Sequence, residues 1–108
     1  MPFNAVYQED EPTRADIDRS VGPLLLEFGA NWCGHCQGLS PTVEAVLRES
    51  PEVQHLRIAD GRGKPLGRSF RVKLWPTLIF LRDGEVIDEL VRPTADQVRQ
   101  AMDQLRTS

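Results

Sequence analysis

Cysteine is scarce in this chain of 108 residues, which has two. Two cysteines cannot build the disulfide framework of a small secreted scaffold, and the chain is long enough for a hydrophobic core that needs no such staples. Long apolar runs are also missing. The longest, Leu24-Leu25-Leu26 and Leu78-Ile79-Phe80-Leu81, are far too short to span a bilayer. Positive charge is in deficit, with 13 Lys+Arg against 16 Asp+Glu and a formal net charge of −3. That balance argues against a general nucleic-acid binder, which carries a dominant basic surface. The opening Met1-Pro2-Phe3-Asn4, followed by Glu9-Asp10-Glu11, has neither a basic n-region nor an apolar h-region. The expected setting is therefore cytoplasmic and reducing. No repeat, low-complexity tract or linker divides the chain, and residues 1–108 are expected to form one domain. In a reducing compartment a closely spaced cysteine pair points to chemistry and not to a staple.

What is present is regular punctuation. Phe3 to Tyr7 reads as a short edge strand. Thr13 and Asp16 have the spacing of a capping box and open a helix to about Ser20, which Gly22-Pro23 stops. Leu24 to Phe28 is a nearly continuous apolar run, as in a strand covered on both faces. After Cys33, the residues Leu39, Val43, Val46 and Leu47 recur at helical spacing, and Pro41 is expected to kink that helix. Val53 to Ile58 reads as a strand and Pro65 to Phe70 as a short helix. Thr77 to Arg82 and Glu85 to Val91 flank Asp83-Gly84, a two-residue hairpin signal. Thr94 and Gln97 repeat the capping-box pattern, and Val98, Met102 and Leu105 give the last helix one apolar face. The order β-α-β-α-β-α-β-β-α describes an α/β fold. The βαβ units call for parallel pairing and the tight hairpin for an antiparallel pair, so the central sheet is mixed, with helices on both faces.

Trp32-Cys33-Gly34-His35-Cys36 falls just after the buried strand, at the start of a helix, which gives a CxxC its redox meaning. Amides at a helix N-terminus point at the first sulfur, and the helix dipole favours negative charge there. Thiolate is the attacking species, so Cys33 is the expected nucleophile and Cys36, one turn further in, the resolving thiol. Glu27 interrupts the apolar run where a buried strand should carry no charge. Burial there is expected to raise its pKa, and such a carboxyl can take the proton of Cys36 and return it.

Taken together, Glu27-Phe28, Trp32-Cys33-Gly34-His35-Cys36, Pro41, Trp75-Pro76-Thr77 and Asp83-Gly84 resemble the thioredoxin family, in order and across essentially the whole chain. The Cys-Gly-His-Cys pattern is similar to that of protein disulfide isomerases, as is Glu in place of the usual Asp at position 27. The resemblance implies a thioredoxin fold in which Pro76 is cis, packs against the cysteine pair and keeps metals off it. It also implies that the backbone of Trp75 pairs with an extended substrate peptide and that a basic residue faces Glu27. Arg57 and His55 share one strand face and both qualify. His35 beside Cys33 is expected to stabilise the thiolate and make the pair a stronger oxidant. Trp32 and Trp75 flank the site as an apolar rim, although Trp75 fits a core position equally well. Arg92 stands where the family usually has glycine, which puts docking of the usual reductase in doubt.

The function that follows is a thiol–disulfide oxidoreductase acting on protein or peptide disulfides through Cys33 and Cys36. It would be recharged by an external reductase and work as a monomer, with no bound cofactor and no metal. Zinc would want four closed ligands, whereas the chain offers two cysteines and two histidines in all. Two alternatives stand beside this reading. His35 and Glu27 favour an oxidase or isomerase. Arg92 and the basic stretch Arg57, Arg62, Lys64, Arg68, Arg71 and Lys73, with Asp60 its one acid, favour a non-catalytic adaptor.

Overall fold

The apolar run that begins at Leu24 forms the innermost strand. The computed structural model describes residues 3–108. Its strands are β1 (Pro23–Gly29), β2 (Gln54–Ala59), β3 (Thr77–Arg82) and β4 (Glu85–Val91), and its helices are α1 (Arg14–Asp18), α2 (Gly34–Arg48), α3 (Pro65–Ser69) and α4 (Ala95–Thr107). The sheet order is β2-β1-β3-β4. β1 runs parallel to β2 and antiparallel to β3, and β3 runs antiparallel to β4, so the sheet is mixed.

Two-residue alternation along β1 sorts its side chains between two layers. Leu25 joins Leu39, Val43, Leu47, Val98 and Leu105 on the side of α2 and α4. Leu24, Leu26 and Phe28 pack with Ile17, Leu66 and Phe70 on the side of α1 and α3. Each fully buried leucine or phenylalanine contributes about 1.5–3 kcal/mol, so this two-sided burial is what holds the strand in the centre. Both capping boxes form: Thr13 accepts from the Asp16 amide, and Thr94 from that of Gln97. α2 continues as one helix of 15 residues through Pro41. Among the described residues no helix is long and apolar enough to cross a membrane.

The expected strand at Phe3 to Tyr7 does not form. The contact with the sheet is a single parallel bridge between Gln8 and Ile58. The backbone groups that a ladder would use are taken by side chains. The Asn4 amide donates to His55 Nδ1 at 2.9 Å, and the Asn31 side chain accepts from the Tyr7 amide at 2.8 Å while donating to the Tyr7 carbonyl at 3.2 Å. This segment is a strap laid over β2. It removes the leading strand from the expected order, leaving α-β-α-β-α-β-β-α.

The hairpin obeys its turn chemistry. Asp83 and Gly84 both have positive φ, 52° and 80°, as a two-residue turn of the primed type requires. A Cβ on Gly84 would lie 2.0 Å from the Asp18 carbonyl oxygen. Gly84→Ala should therefore lose about 2 kcal/mol or more of stability in urea unfolding. Gly38 lies inside α2 with open space around it, so Gly38→Ala should gain about 0.5–1 kcal/mol in the same measurement.

Candidate active site

β1 delivers the chain to Gly29, and four residues later Cys33 caps α2. Its φ and ψ are −81° and 119°, and its sulfur accepts the Cys36 amide at 3.3 Å. An accepted amide and the helix N-terminus both favour negative charge on that sulfur. The Cys36 thiol donates to Cys33 Sγ at 2.7 Å. Exposure differs between the two: Cys33 retains 8% and Cys36 none. Burial first, and then the hydrogen bond to Cys33, push the Cys36 thiol up from 9.0 to about 11. Cys33 thus keeps a little exposure and accepts an amide at the helix N-terminus, whereas Cys36 is sealed in with its thiol pushed up.

Glu27 is completely buried. It points to the α2 side of the sheet, opposite Arg57 in the β1–β2 register, with His55 two residues along the same face. Both basic candidates reach it. Arg57 Nη2 lies 3.0 Å from Oε2, and His55 Nε2 lies 3.0 Å from Oε1. Because His55 Nδ1 accepts from the Asn4 amide, the ring proton sits on Nε2 and is donated to Glu27. A third donor was not foreseen: the Tyr7 hydroxyl donates to Oε2 at 2.6 Å. The expectation of a raised Glu27 pKa is overturned. Burial does push the carboxyl up, but the His55 hydrogen bond and the Arg57 charge outweigh it and hold the group below the ordinary carboxylate range.

Arg57, which heads the basic stretch and is one of the two candidates to face Glu27, is buried inside this cluster. Its guanidinium donates to the Ala5 carbonyl at 3.0 Å and to Ser40 Oγ at 2.8 Å, and lies 4.5 Å from the Tyr7 ring centre. The other five cations of the stretch lie at the surface or half-buried, and Lys64 pairs with Glu9 at 3.1 Å.

The Trp75–Pro76 peptide bond is cis. Trp75 is half-buried against the cysteine cluster, with its indole N–H donating to Asp60 at 2.9 Å. Trp32 is 77% exposed and meets Trp75 edge to face, with ring centres 5.5 Å apart. Arg92 has φ 47°, a left-handed conformation that favours glycine. Two hydrogen bonds hold it there: its amide donates to the Pro76 carbonyl at 2.9 Å and its Nε to the Trp75 carbonyl at 2.8 Å. Gly34, His35, Leu39, Thr42, Pro76 and Arg92 line a groove of about 630 Å³ beside the sulfurs. Among the described residues no three His, Cys, Asp or Glu side chains converge as metal ligands would.

Comparison with known proteins agrees with this geometry. The family model "Thioredoxin" matches residues 5–104. The chain belongs to the thioredoxin family. Thioredoxin 2 from Pseudomonas aeruginosa PAO1, solved in its reduced form, is 44% identical, with a TM-score of 0.85 over 98% of this chain and 100% of that one. Thioredoxin from Streptomyces clavuligerus is 28% identical over 92 residues, covering 83% of this chain and 86% of its own. Protein disulfide-isomerase A2 from Pongo abelii is 48% identical over 65 residues, 56% of this chain and 12% of that protein.

As a thioredoxin family member the protein is a thiol–disulfide oxidoreductase, of a family that acts on protein disulfides with reductase partners. Its CxxC pair stands at the N-terminus of α2. The missed residue, Tyr7, had no local signal, because it reaches Glu27 across 20 positions of chain.

The raised thiol has a consequence for stability. The unfolded chain releases the Cys36 proton near pH 9.0, whereas the folded dithiol holds it to about 11. The stability that this thiol contributes is therefore complete below pH 9 and is lost as pH rises through that window. Tyr7, also raised by burial and by Glu27, adds a further loss above its ordinary 10.0. Urea midpoints of the reduced protein should decline from about pH 9, and Cys36→Ser should delay the decline to about pH 10.

Proposed function

We propose that the chain acts as one thioredoxin-like domain that reduces protein disulfides, with Cys33 as nucleophile and Cys36 as resolving thiol. The observation that carries this reading is the asymmetry of the pair: Cys33 caps a helix N-terminus and keeps 8% exposure, while Cys36 is fully buried with its thiol pushed up to about 11. The Cys33 thiolate attacks one sulfur of the substrate disulfide. A bond to Cys33 forms, the substrate S–S bond breaks, and the first substrate thiolate leaves and takes up a proton. Cys36, once deprotonated, attacks Cys33 Sγ. The Cys33–Cys36 bond forms and the second substrate thiolate leaves. Two electrons have passed to the substrate, and an external reductase returns two.

Glu27, ionised at neutral pH, is the proton acceptor for Cys36. Its depressed pKa makes it a weaker base than a desolvated carboxyl alone would be, but the donor changes in its favour. Part of what holds the Cys36 proton is the hydrogen bond and charge of Cys33. Both vanish when Cys33 is tied up in the mixed disulfide, so the resolving thiol becomes more acidic when it must act.

Trp32, Trp75, Pro76 and Arg92 form the substrate rim. Because Arg92 Nε already holds the Trp75 carbonyl, an incoming peptide must share or displace that bond, which supports a narrower substrate range. The reading carries a reducing, cytoplasmic setting and a monomer, with no bound cofactor and no nucleic-acid partner, the last supported by the net charge of −3. A second reading, oxidant or isomerase, is favoured by His35, exposed in the groove beside Cys33.

Cys33→Ser should abolish insulin-disulfide reduction, and Cys36→Ser should accumulate a mixed disulfide visible on non-reducing gels; full activity in either refutes the assignment. His35→Pro should make the pair more reducing by about 30 mV or more, read by equilibration in glutathione buffers. An unchanged potential would remove the support for the oxidant reading.

A further inference from the structure

The geometry points to Tyr7 as the relay that carries the proton between Cys36 and Glu27 in the resolving step. This rests on the proposed role of Glu27 and supplies the link which that role lacks. Both oxygens of Glu27 are committed, Oε1 to His55 and Oε2 to Arg57 and Tyr7, and no hydrogen bond joins the carboxylate to either sulfur. Cys36 has no exposed surface from which water could take its proton. A bridging group is therefore needed.

Tyr7 fits that position. It is 3% exposed and packs in one cluster with Cys33, Cys36, Ala30 and Ala59, and its hydroxyl is the group of that cluster that reaches Glu27. Gly29 brings the two ends together. A Cβ there would stand 2.6 Å from Cys36 Sγ and 2.7 Å from Tyr7 Cζ, the ring carbon that bears the hydroxyl. The other neighbours of Glu27 cannot relay. His55 already donates from Nε2 and accepts at Nδ1, and the Arg57 guanidinium has no acceptor.

A phenol oxygen can accept one proton while giving up another. The Cys36 S–H bond breaks as a Tyr7 O–H bond forms, and the original Tyr7 proton moves to Glu27 Oε2. Tyr7 begins and ends neutral, Glu27 becomes a carboxylic acid, and Cys36 becomes the thiolate that attacks Cys33. Re-reduction of the pair returns the proton along the same path. Burial and the adjacent Glu27 raise the Tyr7 hydroxyl well above its ordinary value, so the phenol stays protonated between turnovers. The charged and titratable groups facing it are Glu27 from β1, Arg57 from β2, and Cys33 and Cys36 at the start of α2, with His55 on the far oxygen of Glu27.

The test separates the two chemical steps. Reduced protein mixed with 5,5′-dithiobis(2-nitrobenzoate) in a stopped-flow instrument releases one coloured thiolate when Cys33 attacks and a second when Cys36 displaces it. Tyr7→Phe should leave the first phase within about twofold and slow the second about tenfold or more. Glu27→Gln should slow the second phase similarly, and the double variant should be no slower than the slower single one, as expected for groups on one path. A second phase at the wild-type rate in Tyr7→Phe, with Glu27→Gln still slow, overturns the relay and leaves the Glu27 role standing. A wild-type rate in Glu27→Gln overturns both.

Because Tyr7 is the only tyrosine, growth on 3,5-difluorotyrosine labels this position alone. That substitution keeps the ring and the hydroxyl but makes the phenol more acidic. It should change the rate and pH profile of the second phase while leaving the unfolding midpoint unaltered at neutral pH. An unchanged profile contradicts the relay, since a purely structural hydroxyl would be insensitive to its acidity.

Discussion

A carboxylate in the middle of the innermost strand is the constraint around which this molecule is arranged. Taking a charge out of water costs several kcal/mol even after relaxation, and a strand flanked by two others offers it no solvent. Glu27 is tolerated because three side chains reach it, and they come from two separate parts of the chain. Arg57 and His55 are delivered by β2, and Tyr7 by the strap that precedes α1. The parallel register of β1 and β2 sets Arg57 directly opposite Glu27. The strap lies where it does because His55 accepts its Asn4 amide and Arg57 donates to its Ala5 carbonyl. Removing either member of the ion pair would leave the other buried without a counter-charge, the costliest arrangement available to a core.

The sulfur chemistry is built on the rim of that cluster. One helix N-terminus serves two thiols in opposite ways. At the cap, Cys33 receives an amide hydrogen bond, while Cys36, inside the first turn, is enclosed by Tyr7, Ala30 and Ala59. Their difference in character thus comes from a displacement of one helical turn. Gly29 sets the spacing, since any side chain there would collide with both Cys36 and Tyr7. On the outer side, the link from Arg92 to the Trp75 carbonyl shows how a family position normally given to glycine holds a larger residue: two hydrogen bonds offset its left-handed backbone.

Local pattern carried most of the architecture. The apolar run at Leu24, the Asp83-Gly84 turn and the two capping boxes each depend on neighbours a few residues apart, and each forms as its chemistry dictates. The cysteine pair and Glu27 stood out because both break the pattern around them. What escaped depends on contacts between distant segments. Phe3 to Tyr7 has strand-like composition, but its backbone partners are side chains of Asn31 and His55, which no periodicity reveals. Arg57 and His55 were both legible as candidates to face Glu27, but a shared strand face does not reveal that both engage it at once. The direction of the Glu27 shift was misjudged for the same reason, since the cost of burial shows in the sequence while the number of donors that answer it does not.

The pairing of Trp32 with Trp75 has an optical consequence. The chain contains two tryptophans, and both stand beside the reactive sulfurs. No indole lies in either of the two large core layers. Ultraviolet emission from this protein therefore originates at its working edge. It reports on the surroundings of the sulfurs, and it will be silent about repacking of the core so long as the two rings keep their contact.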